Sequence, residues 1–207
     1  MCCCKDGIEL IVKRLFDCLV SFFGLLGLAP FFLLIALLIK LDSPGPVFFR
    51  QERVGRYGKS FRIHKFRTMT ADAPSKGLQI TVGADARVTY FGNWLRKYKI
   101  DELAQLIDVL NGDMSLVGPR PEVPYYVSKY PDDIREIVLS VKPGITDWAS
   151  IKYKDENEVL ARSINPQQAY VSVVLPIKLR YYVDYVHNRS FWGDIKIIIS
   201  TLIAIFR

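Results

Sequence analysis

Histidine and cysteine are scarce in this chain of 207 residues, with two of the first and four of the second. Cys2, Cys3 and Cys4 are adjacent, Cys18 lies in an apolar stretch, and no Cys-x-x-Cys occurs. His64 and His187 lie far apart, so there is no His/Cys ligand spacing either. These shortages argue against a disulfide framework, a structural zinc and the His-rich centre of a metal-dependent phosphodiesterase, and they fit a reducing cytoplasm. The cysteine triplet reads as incidental terminal sequence, with acylation as the alternative. Acidic residues are short as well, 21 against 28 basic ones, for a net charge of +7. Internal repeats, low-complexity tracts and a linker between two soluble domains are all missing. With 50% apolar and 24% charged residues, disordered and collagen-like chains are excluded. The unusual feature is a positive mean hydropathy, +0.16, on a basic chain. Nucleic-acid binders are more polar, and soluble enzymes bury a core with fewer apolar residues. An oily, basic chain points to a membrane carrying anionic lipid.

The oil is concentrated between Cys18 and Ile39, 22 positions without a charge. Roughly 20 apolar residues cross a bilayer, so this stretch is long enough. It is too long for a signal-peptide core, and no small-residue cleavage site follows it. Basic residues flank both ends: Lys5, Lys13 and Arg14 before, Lys40, Arg50, Arg53 and Arg56 after. Basic flanks mark the cytoplasmic side, so both ends ask to be inside. Pro30, after Ala29, has no N–H for the Leu26 carbonyl and must bend or break a helix. The segment therefore predicts a re-entrant helix-break-helix that returns to the side it entered. Each arm of about a dozen residues rises only about 18 Å, less than the hydrocarbon thickness.

Asp42-Ser43-Pro44-Gly45-Pro46 is a turn cluster. Val47–Arg53 and Phe61–Arg67 read as a short β-hairpin around Gly55-Arg56-Tyr57-Gly58. Residues 70–86 read as a loop. Arg87–Ile100 places Val88, Phe91, Trp94, Leu95 and Tyr98 on one helical stripe beside Arg96, Lys97 and Lys99, a pattern equally suited to a membrane surface and a protein core. Leu103, Leu106, Ile107 and Leu110 continue at helical spacing until Asn111-Gly112 stops them. Phe191–Phe206 is too short to span and reads as interfacial or packed on the rest. The fold class expected is α+β and mainly helical, with membrane residues 1–41 ahead of a globular unit over 42–207.

Four features carry chemistry. Asp101-Glu102 opens the apolar-striped segment, where carboxylates and phosphates are both favoured at a helix start; alone, the pair reads as a simple cap. In Gly118-Pro119-Arg120-Pro121, two prolines fix the backbone around one arginine and aim its fork, as phosphate recognition requires; alone, it is a rigid surface turn. Strand alternation puts Lys65 and Arg67 of His64-Lys65-Phe66-Arg67-Thr68-Met69 on one face. Arg96 is a further basic residue ahead of the acidic pair.

In their order along the chain these features resemble the bacterial sugar transferase family, the small monotopic phosphoglycosyl transferases. The matching segments are the prolyl-broken hydrophobic N-terminus, Ser43 through Gly55 (SPGPVFFRQERVG), and Lys65-Phe66-Arg67-Thr68-Met69. Asp101-Glu102-Leu103 with Gln105-Leu106, Asn111 through Pro121 (NGDMSLVGPRP) and Lys142-Pro143-Gly144-Ile145-Thr146 complete them. The resemblance implies transfer of a sugar 1-phosphate from a UDP-sugar to polyprenol (undecaprenyl) phosphate with release of UMP, at the cytoplasmic face of the bacterial inner membrane, as the first membrane step of glycoconjugate assembly. It makes residues 42–207 a catalytic unit, Asp101 a nucleophile that forms a covalent phosphosugar and Glu102 its partner in proton handling. Lys65, Arg120, Arg67 and Arg96 become phosphate-binding residues, and Mg²⁺ a cofactor with Asp101 as ligand. The implied partners are the two substrates and membrane lipids, with no nucleic acid; a homo-oligomer and downstream glycosyltransferases are compatible with it.

Three departures stand out. Ala29-Pro30 occupies the membrane break where the family often has Ser-Pro. Tyr182 stands where an Asp often precedes the Asn-x-Ser segment, and Asp184, two residues on, is kept out of the catalytic set. Asp147-Trp148-Ala149-Ser150 replaces a commoner Gly-rich stretch, a difference read as bearing on sugar choice. The competing reading is a membrane-attached scaffold whose basic surface holds anionic lipid. It would make Asp101, Glu102 and Arg120 dispensable.

Overall fold

A computed structural model describes residues 3–73, 85–153 and 156–206, so most of the loop expected over 70–86, with Pro74, Gly77 and Gly83, lies outside the described residues, as does Cys2. Among the described residues the chain is mainly helical with two small sheets, the α+β class the sequence predicts.

Helix α1 runs from Cys3 to Asp42 and contains Pro30. The expected interruption of helical backbone at Ala29-Pro30 does not occur. The proline still removes one hydrogen bond to the Leu26 carbonyl. Packing makes good the loss: Phe16 and Leu25 before Pro30, and Phe31, Phe32, Ile35 and Ile39 after it, all rest on the globular body. The opposite face is bare, with Ile11, Phe23, Leu26, Leu33 and Leu41 each more than 60% exposed. In the most apolar part of α1 the mean hydropathy is 2.7 and only 11% of residues are buried, which rules out an ordinary core helix. Charged residues tie its first half down. The Lys13 ammonium donates to Asp194 and to the Val117 carbonyl at 3.2 Å. Arg14 donates to the carbonyls of Val109 (2.7 Å) and Leu110 (3.2 Å), and buried Asp17 accepts from Ser115 Oγ at 2.8 Å.

Strands β1 (Phe48–Val54) and β2 (Ser60–Phe66) form the expected antiparallel hairpin, in register from Phe48 opposite Phe66 to Val54 opposite Ser60. Helix α2 (Tyr90–Lys97) is capped by Thr89, whose side chain accepts from the Gly92 N–H. It answers the question its stripe left open in both ways: Leu95 is buried, while Tyr90 and Trp94 face outward. A 3-10 helix (Ile100–Gln105) leads directly into α3 (Leu106–Asn111), and Gly112, at φ 92°, ends it as expected.

Strand β3 (Ser115–Val117) pairs in parallel with β4 (Gly144–Thr146). A Cβ on Gly144 would lie 2.0 Å from the Gly118 nitrogen, so only glycine permits this approach. Between the two strands lie α4 (Pro124–Val127) and α5 (Asp132–Leu139). Helices α6 (Trp148–Lys152), α7 (Glu156–Ala161) and α8 (Pro166–Ala169), then a π-helical turn (Tyr170–Val174), lead to α9 (Leu175–Asn188). Helix α10 (Phe191–Phe206) both packs and faces out: Asp194 and Ile197 are buried, Trp192, Leu202 and Ile203 exposed.

Candidate active site

The bend between α2 and the 3-10 helix is made at Lys99, a lysine held at φ 53°. A non-glycine residue in this region stores about 1–3 kcal/mol of strain, which surrounding packing must hold. The bend sets Asp101 and Glu102 in the first turn of the 3-10 helix, packed against β2. Lys65 of β2 meets both: its ammonium is 2.8 Å from Glu102 Oε1 and 3.6 Å from Asp101 Oδ2. Adjacent residues of a 3-10 helix point about 120° apart, so a single cation between them is what joins their faces.

Arg120 arrives from the end of β3. The Pro119 carbonyl accepts from the Gly144 N–H at 2.9 Å, and the Gly118 N–H donates to the Thr146 carbonyl at 3.1 Å. The Lys142–Thr146 segment thus pins the Gly-Pro-Arg-Pro turn. From there the guanidinium grips Glu102 with both terminal nitrogens, Nη1 to Oε2 at 3.1 Å and Nη2 to Oε1. Three segments distant in sequence, carrying Lys65, Asp101-Glu102 and Arg120, meet at one point.

Their environments separate the two carboxylates. Burial pushes the Asp101 carboxyl up, with Lys65 the strongest opposing charge and Arg96 and Arg120 weaker ones. Burial acts on Glu102 in the same sense, but Arg120 and Lys65 outweigh it and hold Glu102 well below the usual carboxylate range. Glu102 in turn raises Arg120 well above its ordinary value. Glu102 is therefore a fixed anion, and Asp101 is the carboxylate left with a single ion pair among the described residues.

Sequence reasoning missed Lys99 as a member of this site. Burial lowers its pKa, opposed first by Glu102, and its place directly before Ile100-Asp101-Glu102 was the available signal. Asp147 also lies here: buried at the start of α6, it accepts from Ser150 N–H (2.9 Å) and Oγ (2.7 Å), and its charge acts on Arg120, Lys99 and Tyr182. Tyr182 is buried with its hydroxyl unpartnered. Asp184 is on the exposed side of α9, accepting from Asn188 at 2.8 Å, away from the cluster.

Arg96 is close enough to act on Asp101 and sits in the last turn of α2. Arg67 lies elsewhere and is not brought into this cluster. Strand β2 ends at Phe66, so the alternation that would pair Arg67 with Lys65 stops one residue short. The buried guanidinium donates instead to the carbonyls of Ile39 (3.2 Å), Ser43 (2.6 Å) and Pro44 (3.0 Å), closing the C-terminal end of α1.

No group of three or more His, Cys, Asp or Glu side chains is gathered for a metal among the described residues. Asp101, with one ion pair, suits the other common arrangement, in which Mg²⁺ takes one or two carboxylates and completes its shell with substrate phosphate and water; both oxygens of Glu102 are already taken by Arg120 and Lys65.

A sequence profile described as bacterial sugar transferase matches residues 8–207. The chain belongs to the bacterial sugar transferase family. Within this family it is 36% identical over 205 residues to a UDP-glucose:undecaprenyl-phosphate glucose-1-phosphate transferase of Xanthomonas campestris pv. campestris, an alignment covering 97% of this chain and 40% of that protein. It is 37% identical over 193 residues to a UDP-N-acetylgalactosamine-undecaprenyl-phosphate N-acetylgalactosaminephosphotransferase of Aeromonas hydrophila, covering 92% and 43% respectively. An exopolysaccharide production protein, PSS, of Rhizobium leguminosarum bv. phaseoli is 36% identical over 211 residues, covering 95% and 96%. The chain therefore spans about two-fifths of the length of the first two family members.

Proposed function

We propose that this bacterial sugar transferase moves a sugar 1-phosphate from a UDP-sugar to polyprenol phosphate, giving a polyprenyl-diphospho-sugar and UMP. The observation that carries this reading is the convergence of Lys65, Glu102 and Arg120 beside Asp101, a phosphate-charge counterpart built around a carboxylate with one ion pair. Two relatives named for undecaprenyl-phosphate sugar transfer, one with glucose and one with N-acetylgalactosamine, support the reaction class and leave the sugar open.

The steps follow from the charges. A carboxylate oxygen of Asp101 attacks the phosphorus that bears the sugar; the bond from that phosphorus to the bridging oxygen breaks, and UMP leaves with the electron pair. The product is an aspartyl phosphosugar. An oxygen of polyprenol phosphate then attacks the same phosphorus, the bond to Asp101 breaks, and the carboxylate is restored. Splitting the transfer this way spares the site from holding a soluble donor and a lipid acceptor together. Lys65 and Arg120 neutralise the diphosphate, and Arg96 lowers the repulsion between it and Asp101. Glu102, held ionised by Arg120 and Lys65, orients both cations toward the reacting phosphate and takes up no proton itself. Asp101 would hold Mg²⁺, which would supply further neutralisation of diphosphate charge.

The membrane supplies the acceptor. The exposed apolar face of α1, with basic residues at both of its ends, supports a monotopic placement at the cytoplasmic face, re-entrant through a bend at Pro30 that keeps the backbone helical, and Trp192 and Trp94 suit the headgroup layer. The test is UMP release from a panel of UDP-sugars with polyprenol phosphate and Mg²⁺. Turnover with one donor supports the enzyme; lipid binding without turnover on any donor, unaffected by Asp101→Asn, would establish the scaffold instead. Labels placed near Lys5 and near Arg53 are both expected to stay inaccessible from outside the cell. Opposite-side labelling would mean a spanning helix.

A further inference from the structure

His64 and Asp108 have no part in the transfer as set out above, yet they form the closest-bound polar pair next to it. Strand β2 has a neighbour on one side only, β1, so its other edge must find partners for its backbone N–H groups. At His64 the partner is Asp108 of α3: Oδ2 accepts from the His64 backbone N–H at 2.8 Å, and Oδ1 lies 2.5 Å from the ring Nδ1. The other ring nitrogen, Nε2, lies 2.6 Å from Arg50 Nη1. A guanidinium has donors only, so Nε2 must accept. That choice places the ring proton on Nδ1, aimed at Asp108, and makes the His64 ring the link between Arg50 and a buried carboxylate.

The location of this link gives it a consequence. Asp108 is seven residues beyond Asp101, on a helix that continues the 3-10 turn without a break. His64 directly precedes Lys65. The same two elements are thus tied twice, by Asp108 to residue 64 and by Glu102 to residue 65. The first tie fixes how far β2 can slide along the 3-10 helix, and so where the Lys65 ammonium falls between Asp101 and Glu102. Phe48 packs edge-on against the His64 ring, with centroids 5.9 Å apart, and Arg50 also donates to the Arg62 carbonyl at 2.8 Å, so the ring is held from β1 as well.

We propose that the Asp108–His64 pair is a positioning device that sets the Lys65 ammonium on the Asp101 and Glu102 carboxylates. The proposal rests on the transferase reading for its kinetic consequence but not for its geometry. A misplacement of about 1 Å in a reacting site can lower rates by up to about 100-fold, and a partial slip less.

The experiment has a spectroscopic arm and a kinetic arm, both on the full chain in detergent or nanodiscs. In the side-chain ¹⁵N spectrum, with His187→Gln to assign the two histidines, His64 is expected as the Nδ1–H tautomer. An Nε2–H tautomer overturns the pairing. The Lys65 Nζ signal, assigned with Lys65→Arg, is expected to shift in His64→Ala and to stay in His64→Asn, whose amide keeps a donor for Asp108. A signal unmoved in both overturns the positioning. In turnover, His64→Ala lowers kcat/KM about tenfold and His64→Asn recovers it to within about twofold, at equal folded fraction by thermal unfolding. Wild-type kcat/KM in His64→Ala, or equal losses in both variants, contradicts it. If the wild type releases no UMP from any donor, the transferase reading fails and the Lys65 signal alone decides the positioning.

Discussion

Glu102 takes the fork of Arg120 across both of its oxygens while Lys65 donates to one of them at 2.8 Å. One anion between two cations fixes both cations, and it is the arrangement that leaves Asp101 free to react. A lysine at position 120 would keep the charge and lose the two-pronged grip. Arg120→Lys is expected to lower kcat/KM about 100-fold, the scale of losing one positioned donor to a reacting phosphate. Arg120→Ala should in addition destabilise the fold by about 2 kcal/mol, since Glu102 loses charge-assisted hydrogen bonds. Steady-state UMP release and urea unfolding measure the two effects. Wild-type turnover in Arg120→Lys would remove the fork from the mechanism.

Lys13 and Asp194 bind the two termini of the structure together. Asp194 is buried and also accepts from the Tyr185 hydroxyl at 3.0 Å. Removing Lys13 leaves a buried charge without its cation, so Lys13→Ala is expected to cost about 3 kcal/mol. Burial already pushes the Asp194 carboxyl up, against the pull of Lys13. The cost of Lys13→Ala should therefore grow as pH rises and Asp194 ionises, and Asp194→Asn should recover part of it. Denaturant unfolding of both single variants and the double variant, at acid and neutral pH, tests this. A cost independent of pH would contradict it.

Much of this architecture is legible in the sequence where the signal is local. The alternation flanking Gly55 and Gly58 yields the hairpin, and Gly112 ends α3 in the left-handed conformation that a glycine there predicts. What escapes is set by distant contacts. Pro30 is a helix breaker by local rule, yet α1 continues because Leu25 and Phe32 on either side of it are both packed on the body. Strands β3 and β4 have three residues each and pair across a gap of 26, too short to leave a pattern.

The site divides in the same way. Asp101, Glu102, Lys65 and Arg120 were each readable as candidates, but only their order along the chain raised them above surface charge. Arg67 stands apart from Lys65 because β2 ends one residue before it, at Phe66. Only its place next to Ile100-Asp101-Glu102 points to Lys99, since nothing about a lysine announces a positive φ.

Five buried phenols lie in the helical body: Tyr126, Tyr130, Tyr170, Tyr182 and Tyr185. Burial pushes every one of them up, Tyr126 to about 12, and Glu122 adds to the effect for all but Tyr185. A phenol raised in the folded state contributes stability that is complete below its unfolded value, about 10, and is lost as pH rises through the folded value. Alkaline titration at 295 nm should therefore show a late group of tyrosines that ionise together with loss of circular dichroism above about pH 10. A single step near pH 10 with the dichroism unchanged would contradict the burial of this cluster.

The claim on which the rest depends is that Asp101 takes the phosphosugar before the lipid acceptor is involved. The most direct measurement is UMP release in the absence of polyprenol phosphate, read together with the intact mass of the protein. Expected are a burst of UMP equal to the amount of active enzyme and a mass gain of one sugar phosphate mapped to the Asp101 peptide, with neither in Asp101→Asn. UMP that appears only when polyprenol phosphate is added, with no mass gain on the protein, would contradict it.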